Sequence, residues 1–206
     1  ARSHWTDKRI DSARYSMGLF VWYFGTDRKY PDVAHHTILL GPRYRGLLDD
    51  IFDAKVLADD FSLYLHRPTC TDPSLAPEGC EGFYVLSPVP NLLSETDWKL
   101  ESECYRMRIA EYLERTVLPG LSKHIVTSRV TTPLEFRNNL LAYRGAAFQF
   151  EPVLTQSAYF RPHNQSEDID RLFIVGAGTH PGAGVPGVLS SARVLDRVIP
   201  HARDLQ

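Results

Sequence analysis

Apolar and polar positions change their period several times along this chain. Between 16 and 25, aromatic and β-branched residues crowd together (Phe20, Val21, Trp22, Tyr23, Phe24), the composition of a strand. A polar loop at 27–32 leads to a second short strand at 36–40, and closeness across that loop suggests that the two pair. Gly41-Pro42 breaks the chain. Tyr44, Leu48, Ile51 and Phe52 then recur at helical spacing, with Asp49, Asp50 and Asp53 opposite. Acids outnumber bases there, which favours a helix packed on a core over one lying on a membrane surface.

Strands are expected at 61–66 and 82–86, flanking a loop rich in Pro, Asp, Gly and Cys at 68–79. Such loops can cover a site but are more often connectors. A longer helix runs over 99–117, with Tyr105, Ile109, Tyr112, Leu113 and Val117 on one face, and Pro119-Gly120 ends it. A strand at 124–132 and a short helix from Pro133 to about 139 follow. Small and aromatic residues at 142–150 and 155–160 then lead to the turn Arg161-Pro162-His163-Asn164.

The densest signal lies near the end. Leu172, Phe173, Ile174 and Val175 form an apolar run of the kind a strand covered on both faces shows. Five glycines follow at 176, 178, 182, 184 and 187. From Val188 the pattern turns helical (Leu189, Ala192, Val194, Leu195, Val198) until Pro200 stops it. A helix starting at such a turn points unpaired N–H groups and a positive dipole end forward, a seat for an anionic or electron-rich group. A tight packing turn without ligand gives the same pattern. The dinucleotide fingerprint is not met: Gly176 and Gly178 fit its first positions, but Pro181 stands where Gly or Ala is required. The strand's sheet neighbours must therefore come from earlier in the chain or from residues outside it. The expected class is α/β: an α+β portion with a mixed sheet over roughly 15–158, then a return segment carrying strand, turn and helix.

Composition narrows this little. Hydrophobic content of 43% and charged content of 23% are ordinary for a globular protein. A net charge of −2, with scattered arginines, gives no reason to expect nucleic acid. Cys70, Cys80 and Cys104 are odd in number and form no C-x-x-C pair, so reduced thiols in a cytoplasmic protein are expected, with no disulfide framework or zinc site. No apolar run approaches a membrane span and no signal peptide opens the chain. It begins at Ala1 rather than Met, and the missing sheet neighbours make a fragment the expectation.

Several strings together are specific: Gly41-Pro42-Arg43-Tyr44, Asp60-Phe61-Ser62-Leu63-Tyr64-Leu65-His66, Thr71-Asp72-Pro73-Ser74-Leu75-Ala76-Pro77-Glu78-Gly79-Cys80, Leu154-Thr155-Gln156-Ser157-Ala158, Phe160-Arg161-Pro162-His163-Asn164, and the glycine-rich stretch at 175–187. In this order they resemble the C-terminal part of the bacterial and fungal type phytoene desaturases, over about 16–192. The resemblance implies FAD as cofactor, with phytoene dehydrogenated stepwise to neurosporene or lycopene. It divides the chain into part of a substrate-binding domain (1–158) and the C-terminal segment of a Rossmann-like FAD-binding domain (159–206). Carried over residue by residue, Gly176, Ala177, Gly178 and Thr179 would approach the ribityl and pyrophosphate. Gly184, Val185 and Pro186 would lie beside the isoalloxazine, and Gly187 would lead into the helix. The family's first βαβ unit is not found here, so the chain alone is expected to be inactive. A substrate drawn from a bilayer implies phytoene and its desaturated intermediates as partners, at a cytoplasmic site peripheral to the inner membrane.

No catalytic acid or base is assigned. His180, Arg161 and His163 are candidates, each with a bland alternative as a turn residue, and no metal or nucleophile spacing stands out. The run at 20–24 could line a polyene path or be plain core. Related activities (a ketolase, a saturase, a C30 desaturase) and a flavin-free lipid-binding module remain alternatives.

Overall fold

The structure is a computed structural model that describes residues 2–200. The chain divides into two compact units: Met17–Ala147, and the described residues up to 16 together with those from 148 onward. This boundary is one of chain packing. The expected division at 158 and 159 is one of ligand role, on which packing alone does not bear.

In the Met17–Ala147 unit, β1 (Gly18–Thr26), β2 (His36–Leu39), β3 (Leu63–His66), β4 (Glu81–Val89) and β5 (Ile125–Thr131) form one sheet in the order β2-β3-β4-β1-β5. All four pairings are antiparallel, so the sheet is not mixed as expected, although strands and helices do combine. Nor does β1 pair with β2. It takes β4 along its whole length on one side and β5 on the other. The reason lies in its residues: Leu19, Phe20, Val21 and Trp22 are buried on both faces, as a central strand requires, whereas β2 alternates between exposed and half-buried, as an edge does.

The helix Trp98–Thr116 (α2; the shorter α1 is Tyr44–Asp49) buries Trp98, Tyr105, Ile109 and Leu113, spaced at seven and then four residues, one stripe of a helix. Asp97 caps it, its carboxylate accepting from Lys99 N at 2.9 Å. The stripe belongs to one core with Phe20, Trp22 and Phe24 of β1, Leu63 and Leu65 of β3, and Phe83, Val85 and Val89 of β4. Each fully buried side chain of this size contributes about 1.5–3 kcal/mol. The run at 20–24 is therefore mostly core, with Tyr23 alone turned outward. Polar groups are enclosed as well, among them two pairs. Tyr105 OH meets Ser87 Oγ at 2.7 Å, and burial pushes its pKa up to about 12. Arg67 and Glu81 form a buried ion pair at 3.1 Å, with Glu81 also accepting from Tyr30 N and Arg67 donating to the carbonyls of Tyr30 and Val33. The helix Pro133–Leu140 (α3) starts where Thr132 and Glu135 form a reciprocal capping box.

The other unit carries one long helix, Val185–Val198 (α4), and little regular structure besides. The run at 172–175 is not a strand: Phe173 makes an isolated bridge to Gln165, and Ile174 N donates to Asn164 O at 2.9 Å. A ladder needs a neighbour along several residues, and among the described residues only the short turn at 164–166 offers one. Leu172 and Val175 are accordingly exposed rather than covered on both faces. The helix also begins three residues before Val188, because Pro186 suits a first turn, where its missing N–H would have had no intrahelical acceptor.

Candidate functional site

The glycine-rich turn owes its shape to Ser191, a fully buried hydroxyl on α4. Ser191 Oγ accepts from Asn164 Nδ2 at 2.9 Å and from Gly176 N at 3.1 Å, and bonds Thr179 Oγ1 at 2.9 Å. With two N–H groups already on its oxygen, its own proton goes to Thr179 Oγ1, whose proton in turn goes to Gly176 O at 3.0 Å. Asn164 Nδ2 also donates to Ile174 O at 3.1 Å. One serine and one asparagine thus tie the apolar run, both ends of the first half of the turn, and the helix. Neither stands out in the sequence, where Ser191 reads as an ordinary helical serine and Asn164 as the end of a turn.

Arg161 does for the next residue what Ser191 does for Gly176. Buried, it donates to Ala177 O and to Phe150 O, the latter at 2.9 Å. Burial lowers its pKa from the usual arginine value. A buried cation answered by carbonyl oxygens leaves its formal charge uncancelled by those partners, which favours a neighbouring anion.

Of the eight residues singled out in the sequence, Thr179 is buried and its hydroxyl is spent within the turn, so it shapes the backbone rather than presenting a side chain. Ala177 is fixed through its carbonyl, and Gly178 lies against Gln149. Gly176 and Gly184 (φ 122° and 94°) have open space where a Cβ would stand. Gly187 is the opposite case: a Cβ there would lie 2.6 Å from Gly182 O, so glycine permits the turn to close on the helix. Gly184 caps α4 with no side-chain acceptor, while Val185 and Pro186 occupy the first turn, Val185 being 75% exposed. The forward-facing N–H groups of that turn are left for something outside the helix.

His180 and His163 instead line a cleft of about 440 Å³ with Tyr159, Asn164 and Val194. None of the eight turn residues lines it. His163 is engaged with Tyr159 O at 3.1 Å and with Glu167 at 3.2 Å, while His180 Nδ1 is buried without a hydrogen-bond partner. The sequence also missed a group of three histidines, His35, His36 and His66, in the Met17–Ala147 unit.

The family model described as flavin containing amine oxidoreductase matches residues 98–194. The chain is 50% identical, over 98% of its length, to a neurosporene-forming phytoene desaturase of Rhodobacter capsulatus, and 53% identical, over 98%, to that of Cereibacter sphaeroides. It is 57% identical, over 89%, to a lycopene-forming phytoene desaturase of Pseudescherichia vulneris. These matches cover 39%, 40% and 38% of the relatives, so the chain spans about two-fifths of their length. A crystal structure of an oxidoreductase from Methanosarcina mazei shares the fold with a TM-score of 0.50 and 17% identity, over 92% of this chain and 36% of that one.

Proposed function

We propose, from the premise that the chain belongs to the flavin containing amine oxidoreductases, that it is the C-terminal part of an FAD-dependent phytoene desaturase. Identity of 50–57% to such enzymes along nearly the whole chain is the observation that carries this reading. The substrate is phytoene, dehydrogenated stepwise toward neurosporene or lycopene.

The residues of the turn fit FAD on physical grounds. Open space beside Gly176 and Gly184 admits a ligand to the backbone. The uncapped first turn of α4 and the buried Arg161 both favour an electron-rich group. When bound, FAD supplies hydride acceptance. What this chain adds is positioning and charge. Gly184, Val185 and Pro186 hold the positive end of α4, worth about 0.3–2 kcal/mol toward negative charge developing before it. Ser191 and Arg161 fix the loop, so that no rearrangement accompanies that charge. A substrate with no polar group is drawn from a bilayer, so the working location we propose is the cytoplasmic face of the inner membrane, held peripherally. Among the described residues no helix is long and apolar enough to cross a membrane.

The test is the full-length gene product, mixed with FAD and phytoene in liposomes under anaerobic conditions. Bleaching of the flavin absorbance with appearance of conjugated polyene bands is expected. An unreduced flavin with phytoene recovered intact would overturn the assignment; bands of shorter or oxygenated polyenes would move it to a sister activity.

A further inference from the structure

We propose that His35, His36 and His66 form a binding site for a divalent transition cation of the zinc type, clamping the edge strand β2 to β3. The antiparallel register sets His36 directly opposite His66, and the preceding residue, His35, folds its ring over the same spot. Ring centroids lie 4.3 Å (His35–His36), 4.7 Å (His35–His66) and 5.1 Å (His36–His66) apart. One ring nitrogen from each falls within 4.8 Å of the others.

Two further features match a ligand set. The Nδ1 atoms of His35 and His36 are each held by a hydroxyl, Thr71 Oγ1 and Tyr64 OH (2.6 Å for the latter). Such outer contacts fix ring orientation and tautomer in metal sites. Inside the group, His35 Nε2 and His66 Nε2 stand 2.8 Å apart, and His66 Nδ1 is buried with no partner. Two nitrogens that close share at most one proton comfortably.

Zn–N bonds of about 2.0–2.1 Å in tetrahedral geometry place ligand nitrogens roughly 3.3 Å apart. His35 and His66 must then part by roughly 0.5 Å, and His36 must draw in by at most roughly 1.5 Å, shifts within reach of χ rotation. Three imidazoles select zinc, cobalt, nickel or copper over magnesium or calcium, and leave a fourth position for water or another donor.

The test uses the full-length protein without a histidine tag, stripped with chelator and titrated with Co²⁺, whose visible bands report tetrahedral nitrogen ligation. One equivalent per chain, displaced by Zn²⁺ but not by Mg²⁺, is expected, with a rise in melting temperature. His36→Ala, at an exposed position, should keep the fold by circular dichroism and weaken binding roughly 100-fold, and His66→Ala should do the same. His124→Ala, a histidine engaged elsewhere with Asp27, should bind as the wild type does. A featureless wild-type titration up to millimolar Co²⁺, or binding by His36→Ala and His66→Ala as tight as the wild type's, would overturn the proposal and leave a stacked imidazole cluster.

Discussion

The two units solve the problem of holding a chain together by different means. Met17–Ala147 is organised by burial: sixteen buried side chains of Phe, Trp, Tyr, Leu, Ile and Val form one core of the sheet and α2, and the buried Arg67 and Glu81 are paired. The unit built on 148–200 is organised by polar ties: Ser191 to Asn164, Gly176 and Thr179, Arg161 to two carbonyls, and Asp168 to the N–H groups of Ser3, His4 and Trp5. Leu154, Tyr159, Val185 and Leu189 meanwhile stay exposed. Large apolar side chains left exposed in this number are consistent with a surface that receives something. In our reading that something is FAD and the remaining polypeptide of the desaturase. The first unit keeps its own shape, and the second presents a shape to a ligand.

The largest effect expected from breaking this contrast is in the first unit. Arg67→Ala strips Glu81 of its buried partner and should cost about 3–5 kcal/mol, read as a lower midpoint in urea unfolding. Double replacement of Arg67 and Glu81 by apolar residues of similar volume should recover most of that loss, because it leaves no orphan charge. In the second unit, Ser191→Ala should cost about 1–3 kcal/mol. It should speed hydrogen exchange at Gly176 and weaken flavin retention, while leaving exchange in α2 unchanged. If α2 loosens equally, the units do not differ as described.

The smallest effect concerns pH. Three backbone N–H bonds, led by those from His4 and Trp5, hold the Asp168 carboxyl well below the usual carboxylate range. A depressed pKa means that its contribution is fully present above the unfolded value of about 3.9 and is lost as pH falls below that toward the folded value. Hydrogen exchange at Ser3, His4 and Trp5 should therefore stay protected at pH 5 and open only in stronger acid. Asp168→Asn should open it at neutral pH.

Much of the first unit was legible because its elements follow clean periods. The α2 stripe and the apolar β1 run point to their own burial. Which strands pair was harder. Nearness in sequence suggested β1 with β2, yet the decisive signal was that β1 is apolar on both faces and so demands two long neighbours, which β4 and β5 supply. The same inference failed at 172–175, where an apolar run implies a covering that the described residues do not provide. The glycines marked the turn correctly, but Ser191 carried no local pattern: its importance comes from being a buried acceptor that several groups converge on. The three histidines were invisible for a related reason, since 30 residues separate His36 from His66 and only strand register unites them.

The most direct test of the central claim puts a negative charge where the flavin is expected to develop one. Val185→Asp lies in the first turn of α4, exposed, where an acid favours the helix itself. In the full-length protein the account predicts unchanged or slightly raised stability without FAD, together with FAD binding weakened roughly tenfold, about 1.4 kcal/mol. FAD bound and reduced by Val185→Asp as by the wild type would contradict it, and would leave the glycine-rich turn a packing device.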